Sequence, residues 1–195
     1  MQTHLPFLAC GEQVRIYDGA RITHPERIRL GSHVIIDDFV FLGPHEALTI
    51  GNYIHLSSHL SIVGGGKVYL SDFSGYSTGV RILSGTDDFS GAGLTNSAIP
   101  PEFRQVQRSA VWVGPHVAIG ANVVILPGVC IGEGAAVVAG SVVSRDLPPG
   151  AFMAAGRRGA SNPGQHSASS PPSRRFSPGM AHRASATATA PRPWV

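Results

Sequence analysis

The chain has 195 residues, 43% of them hydrophobic, and a formal net charge of +3. That length and apolar content support one core of ordinary size, and no apolar run reaches the roughly 20 residues of a membrane-crossing helix. The charge is unevenly placed: residues 157–195 hold Arg157, Arg158, Arg174, Arg175, Arg183 and Arg192 and no acidic residue, so residues 1–156 carry more Asp and Glu than Lys and Arg. The basic balance belongs to the C-terminal segment and gives no reason to expect nucleic acid on the rest of the chain.

The start, MQTHLPFLAC, has neither the basic region nor the apolar length of a signal peptide. Residues 1–13 read as an irregular lead-in. Cys10 and Cys130 are far apart and in no metal-like spacing, which reads as two free thiols of a cytoplasmic protein.

From Val14 onward, aliphatic residues come in pairs two apart: Val14/Ile16, Ala20/Ile22, Ile28/Leu30, Val34/Ile36, Val40/Leu42, Leu48/Ile50, Ile54/Leu56, Leu60/Ile62, Val68/Leu70, Ser74/Tyr76 and Val80/Ile82. The pattern resumes with Val111/Val113, Val117/Ile119, Val123/Ile125, Val129/Ile131, Ala135/Val137 and Ser141/Val143. Most pairs follow the last by six residues. A period of six fits neither a helix nor one long strand. It fits short strands, each with two inward side chains and a turn after it, stacked as a parallel β-helix. No rung is stable alone, so the stack is the fold.

Three steps are eight residues long, from Ala20 to Ile28, Val40 to Leu48 and Leu60 to Val68. They recur every 20 residues. A coil of six, six and eight is three-sided, with one corner enlarged. The next visit to that corner follows Ile82, and the pattern returns only at Val111. Residues 83–110 are therefore an insertion from the same corner. Rich in Gly, Ser, Asn and Pro, they read as a loop, and loops of this length are usually either functional or disordered. Phe89, Leu94, Ile99 and Phe103 suit packing on a neighbouring subunit. Pro148-Pro149-Gly150 reads as the end of the regular stack, and residues 157–195 as a disordered low-complexity tail.

The stretch VAIGANVVILPGVCIGEGAAVVAGSVVSRDLPPG, residues 117–150, resembles the hexapeptide-repeat acyltransferases. The resemblance covers roughly residues 14–156. It is strongest toward galactoside- and maltose-type sugar O-acetyltransferases and acetyltransferases of nucleotide-linked amino sugars. It implies an all-β, left-handed parallel β-helix working as a homotrimer, to which the outward apolar residues Phe73, Val124 and Val138 would contribute. It implies acetyl-CoA as co-substrate, lying outside the last coils at a subunit boundary. Gly120, Ala121, Ala139 and Gly140 would let its amide arm approach the backbone. Ser144 and Arg145 match a Thr-Lys pair near the nucleotide end, where an arginine fork suits phosphate. Gly156-Arg157-Arg158-Gly159-Ala160 departs from the family's usual closing segment and helix.

Acyl transfer to a hydroxyl needs a base and a donor for the developing oxyanion. The position at which sugar acetyltransferases of this family carry a catalytic histidine holds Asp87, followed by Asp88. An ordinary aspartate, with a pKa near ~3.9, is a poor base at neutral pH unless burial raises it. The other candidate is His59, expected one rung below and beside the root of the insertion, with Ser57 near it. An imidazole of pKa near ~6.5 suits base work. His55 and His116 read as outward and corner residues. The three-histidine zinc site of γ-class carbonic anhydrases on this scaffold has no counterpart, because His55 and His59 are four apart and lack a third partner, so no metal is expected. The expected activity is acetyl transfer to a hydroxyl or amine of a sugar or nucleotide-linked sugar, in surface polysaccharide synthesis. A non-catalytic scaffold on the same stack is the alternative.

Overall fold

Inward side chains of the paired registers fill a three-sided prism. In a computed structural model, which describes residues 5–154, every member of the pairs is buried except Val14 and Ile22, which are half-buried. The hydrophobic core cluster of buried residues is drawn entirely from these positions.

Three parallel sheets form the faces of a left-handed β-helix. Face A consists of Ala9–Cys10, Ile28–Leu30, Leu48–Ile50, Val68–Leu70, Val111–Val113 and Cys130–Ile131. Face B consists of Arg15–Ile16, Ile35–Ile36, His55–Leu56, Gly75–Tyr76, Ala118–Ile119, Ala136–Val137 and Phe152–Met153. Face C consists of Arg21–Ile22, Phe41–Pro44, Ser61–Gly64, Arg81–Leu83, Val124–Ile125 and Val142–Val143. The register sets each residue over the one 20 places on, as in Leu48 with Val68, His55 with Gly75 and Ser61 with Arg81. Past the insertion the enlarged corner disappears and the repeat shortens, so that Ala118 meets Ala136 and Val124 meets Val142.

Left-handed winding is uncommon for parallel strands, and here the corners enforce it. At the edge between faces A and B, His33, Tyr53, Phe73 and His116 have φ of 59°, 55°, 59° and 58°; at the edge between B and C, Phe39, His59 and Asn122 have 63°, 63° and 55°. A non-glycine residue in this left-handed region costs about 1–2 kcal/mol. Stacking offsets that cost. The rings of His33 and Tyr53 lie 4.5 Å apart, those of Tyr53 and Phe73 4.9 Å, and those of Phe73 and His116 5.1 Å, all within 9° of parallel. Beside the ring column, the side chains of Ser32, Asn52 and Asp72 accept hydrogen bonds from the backbone N–H groups of Glu12, Ser32 and Asn52 respectively. These corner amides lie outside the strand ladders and would otherwise lack a protein partner.

The stack is longer at both ends than the pair pattern indicates. Ala9–Cys10 pairs with Arg29 and Leu30, so the lead-in already contains a strand, and Phe7 packs on the core. Pro148-Pro149-Gly150 does not end the helix: Phe152–Met153 pairs with Ala136–Val137, and Leu147 bridges to Ile131. The prolines fall at a corner, where no strand N–H is lost, and Gly150 supplies the left-handed turn with φ 69°. The expectation for residues 157–195 lies outside the described residues.

The insertion leaves from the enlarged corner, between Arg81–Leu83 and Val111–Val113. It is not all loop. Gly85–Asp87 pairs antiparallel with Val106–Arg108, and a short 3-10 turn spans Pro101–Phe103. This ribbon lies on the corner below it because Gly64, Gly65 and Gly66 are bare. A Cβ at these positions would stand 2.5 Å from Gly85 N, 2.2 Å from the Arg108 side chain and 2.4 Å from Ser109 O, respectively.

Phe73 stacks on both sides. Parallel aromatic pairs contribute about 0.5–1.5 kcal/mol each, so Phe73→Ala is expected to lower stability by about 1–3 kcal/mol, read from the urea unfolding midpoint.

Candidate active site

A cleft of about 360 Å³ opens where the ribbon lies against the edge between faces C and A. Its polar lining comes from His45 below, from Asp87, Arg104 and Arg108 on or next to the ribbon strands, and from Thr86 and Ser97. Gly64, Gly65 and Gly85 complete it with exposed backbone. A second cleft, of about 310 Å³, lies near the edge between A and B beside His33, Tyr53 and His55. It contains none of the expected site residues.

Asp87 ends the first ribbon strand with its side chain half-buried. Arg104 Nη2 donates to its Oδ1 at 2.6 Å, and the Asn96 N–H donates to its Oδ2 at 3.1 Å. Both bonds favour the anion, the guanidinium bond most, so the carboxyl is held below the usual aspartate range. Arg104 keeps its Nε buried with no hydrogen-bond partner among the described residues. Asp88 points the other way. Its Oδ1 accepts from Ser90 Oγ at 2.7 Å and Ser90 N at 3.0 Å, and its Oδ2 from Ala92 N at 2.7 Å. Those bonds, the Ser90 hydroxyl first, hold its pKa down too. Asp88 is buried and fastens the turn over residues 88–92.

The expected site residues fall on two edges. Ser57, His59, Gly120, Ala121, Ala139 and Gly140 all lie at the edge between B and C. Asp87, Asp88, Ser144 and Arg145 lie at or beyond the edge between C and A. His59 is exposed, its ring stacked on Phe39 at 5.0 Å and its carbonyl bonded by Arg81 Nη1 at 2.7 Å. It is not beside the root of the insertion. The strand Ser61–Gly64 separates the two edges, which at about 3.3 Å per residue puts them roughly 15 Å apart. Within one chain, His59 and Asp87 do not meet. Gly120 also has a duty to the fold, since a Cβ there would stand 2.5 Å from Ala139 N, whereas Gly140, at φ 74°, faces open space.

His45, Arg104 and Arg108 were not singled out from the sequence. The available signal was the run Gly64-Gly65-Gly66 at the enlarged corner, one coil before the insertion. Three bare residues there mean that another segment lies on top of them.

No family model matches the chain. Over 141 residues it is 39% identical to the dTDP-4-amino-4,6-dideoxy-D-glucose acyltransferase of Escherichia coli, covering 72% of this chain and 73% of that one. The chain belongs to the hexapeptide-repeat sugar acyltransferases. It is also 32% identical over 127 residues to the putative lipopolysaccharide biosynthesis O-acetyl transferase WbbJ of Escherichia coli K12, covering 65% of this chain and 56% of that one. Among solved structures, AntD, an N-acyltransferase from Bacillus cereus, in a form complexed with dTDP and Coenzyme A, superposes with a TM-score of 0.72. The identity is 36%, over 75% of this chain and 78% of that one. The activity of this acyltransferase is acyl transfer to a sugar acceptor, with an acyl-CoA as donor. Among the described residues, no group of His, Cys, Asp or Glu is arranged to hold a metal ion, and no helix is long and apolar enough to cross a membrane.

A carboxyl with a lowered native pKa stabilises the fold above the ordinary aspartate range, and that contribution is lost as the pH falls through its native value. Asp88→Ala is therefore expected to lower the melting temperature at pH 7 and to speed proteolytic cutting within residues 89–100. The gap from wild type should begin to narrow as the pH falls below about 4, where the unfolded-state carboxyl takes up its proton, and close as the pH falls through the lower native value.

Proposed function

We propose that the acceptor is the amine of a dTDP-linked 4-amino-4,6-dideoxy sugar, and that Asp87 receives it in the cleft between ribbon and corner. One observation carries this reading. Ser77 is the only serine of the chain with an aspartate ten residues on, and that aspartate is Asp87. The solved variants of AntD replace an aspartate and a serine ten residues before it, and serine variants are complexed with dTDP-4-amino-4,6-dideoxyglucose and Coenzyme A.

An amine needs no base to become a nucleophile once it is neutral. The Asp87 carboxylate accepts a hydrogen bond from the amine N–H and turns the nitrogen lone pair toward the thioester carbonyl. The C–N bond forms, the tetrahedral adduct collapses, the C–S bond breaks, and the thiolate of CoA leaves. The surplus proton on nitrogen passes to the thiolate or to solvent. A bare carboxylate beside the amine would raise its pKa and hold it as unreactive ammonium. The Arg104 guanidinium offsets that charge, so Asp87 orients the amine without trapping its proton.

Ser77, with Ser57 and His59 a coil below, lies a face-width from Asp87 in one chain. These groups can serve one acceptor only across a subunit boundary, and we assign the enzyme a homotrimer with its sites between subunits. Exposed apolar side chains support this: Phe73 and Val138 on the prism, and Phe89, Leu94 and Phe103 on the insertion. Val124 is half-buried and adds less. We assign the donor track to Gly120, Ala121, Ala139 and Gly140, with Ser144 and Arg145 toward its nucleotide end. The substrates proposed here are made inside cells, and we place the enzyme in the cytoplasm.

The test is thiol release from acetyl-CoA with dTDP-4-amino-4,6-dideoxyglucose as acceptor. Wild-type enzyme should turn over this amine and not dTDP-glucose; the reverse preference would overturn N-acylation. Asp87→Asn should lower kcat/KM roughly 10- to 100-fold, about 1.4–2.7 kcal/mol. Arg104→Gln should move the acid limb of the kcat profile to higher pH, and Arg104→Lys should restore it. Mixing His59→Ala subunits with Asp87→Asn subunits should recover activity if the site spans two subunits.

A further inference from the structure

We infer that Arg108, together with His45, forms a diphosphate subsite in the cleft between the ribbon and the edge joining faces C and A. The inference rests on the acceptor reading above for which substrate supplies the diphosphate, and on geometry for the subsite itself.

Arg108 ends the second ribbon strand, Val106–Arg108. Its side chain lies across Gly65, where a Cβ would stand 2.2 Å from both its Cδ and its Nε. Arg108 is exposed, yet its side chain lies over the corner at Gly65 rather than away from it. The bare backbone of Gly65 lets it rest there without moving aside.

The guanidinium carries no ion pair or side-chain hydrogen bond among the described residues. Other basic side chains at this edge have partners. Arg104 is paired with Asp87 at 2.6 Å, Lys67 with Glu46 at 3.3 Å, and Arg27 donates to the His45 carbonyl. Because Asp87 is the carboxylate of the cleft lining and Arg104 already offsets it, the charge of Arg108 is left uncompensated, and His45 lines the same cleft. A planar fork of N–H donors facing a half-open cleft with surplus positive charge matches two phosphate groups in series. Both substrates of the reaction carry a diphosphate, the nucleotide-linked sugar and CoA. The cleft also holds Asp87, so the subsite is assigned to the acceptor: the diphosphate on Arg108 places the sugar, one bond further on, toward Asp87.

The experiment is calorimetric titration of the full chain with dTDP, with thymidine and with CoA, for wild type, Arg108→Gln, Arg108→Lys and Gly65→Ala. Arg108→Gln should weaken dTDP roughly 10- to 100-fold, and Arg108→Lys less, because it keeps the charge and loses the fork. Thymidine, which lacks the diphosphate, and CoA should be unchanged. Gly65→Ala, which displaces the arginine, should reproduce the loss. In steady state the KM for the nucleotide sugar should rise while kcat at saturation holds. Arg108 makes no stabilising pair, so the variant should melt with wild type.

Unchanged dTDP affinity in Arg108→Gln would overturn the subsite, as would absence of dTDP binding by wild type. Weakened CoA with intact dTDP would overturn its assignment to the acceptor. If dTDP weakens as expected but no amine is acylated, the subsite stands and N-acylation falls. If the amine is acylated while dTDP binding ignores Arg108, the subsite alone falls.

Discussion

Each coil of this protein can bury its inward side chains only against the coils above and below it. A rung two or three residues long has no second layer of its own, so its aliphatic pair gains nothing until a neighbour covers it. That constraint sets the period, the 20-residue repeat of the early coils and the near-uniform choice of Val, Ile and Leu inside. It also makes the edges demanding. The chain must turn within a few residues at every corner, and at the edges bordering face B it does so with residues in the left-handed region, held by ring stacks and, at the edge between A and B, by side chains that bond the backbone of the preceding coil.

The cleft under the ribbon follows from a disturbance of that regularity at one edge. The early coils enlarge the corner between C and A by two residues, and the chain then leaves there for 28 residues. Three glycines on the coil before let the returning ribbon lie flat on the corner. The pairing of Gly85 with Arg108 and Asp87 with Val106 brings residues some twenty positions apart to a common wall. The chemistry of the cleft is then a matter of charge. Arg104 keeps Asp87 ionised and oriented, Asp88 is spent on the loop's own turn, and Arg108 is left over. Two adjacent aspartates, alike in sequence, are thereby given different work by the hydrogen bonds each receives.

The stack, its three-sidedness and the corner from which residues 83–110 depart were legible in the sequence, because inward direction in a short strand is a local property with a strict period. The terminal strands were not. Leu8 is exposed and the final rung follows two prolines, since an end coil is covered on one side only and need not repeat the aliphatic pair. The family resemblance singled out Asp87, which lines the cleft. Arg104 and Arg108 were not, because an insertion has no periodicity and their meaning depends on where the ribbon lands. His59 was misplaced relative to the loop by a whole face, since counting rungs gives height along the prism more readily than position around it.

The sequence by itself therefore determined the architecture and the edge that carries the excursion, through hydrophobic burial repeated along the chain. Tertiary structure alone decided which of the charged residues share the cleft, which of the two aspartates faces it, and that His59 stands on another edge. Those outcomes depend on contacts between distant segments and on individual hydrogen bonds, which leave no periodic trace in the order of the residues.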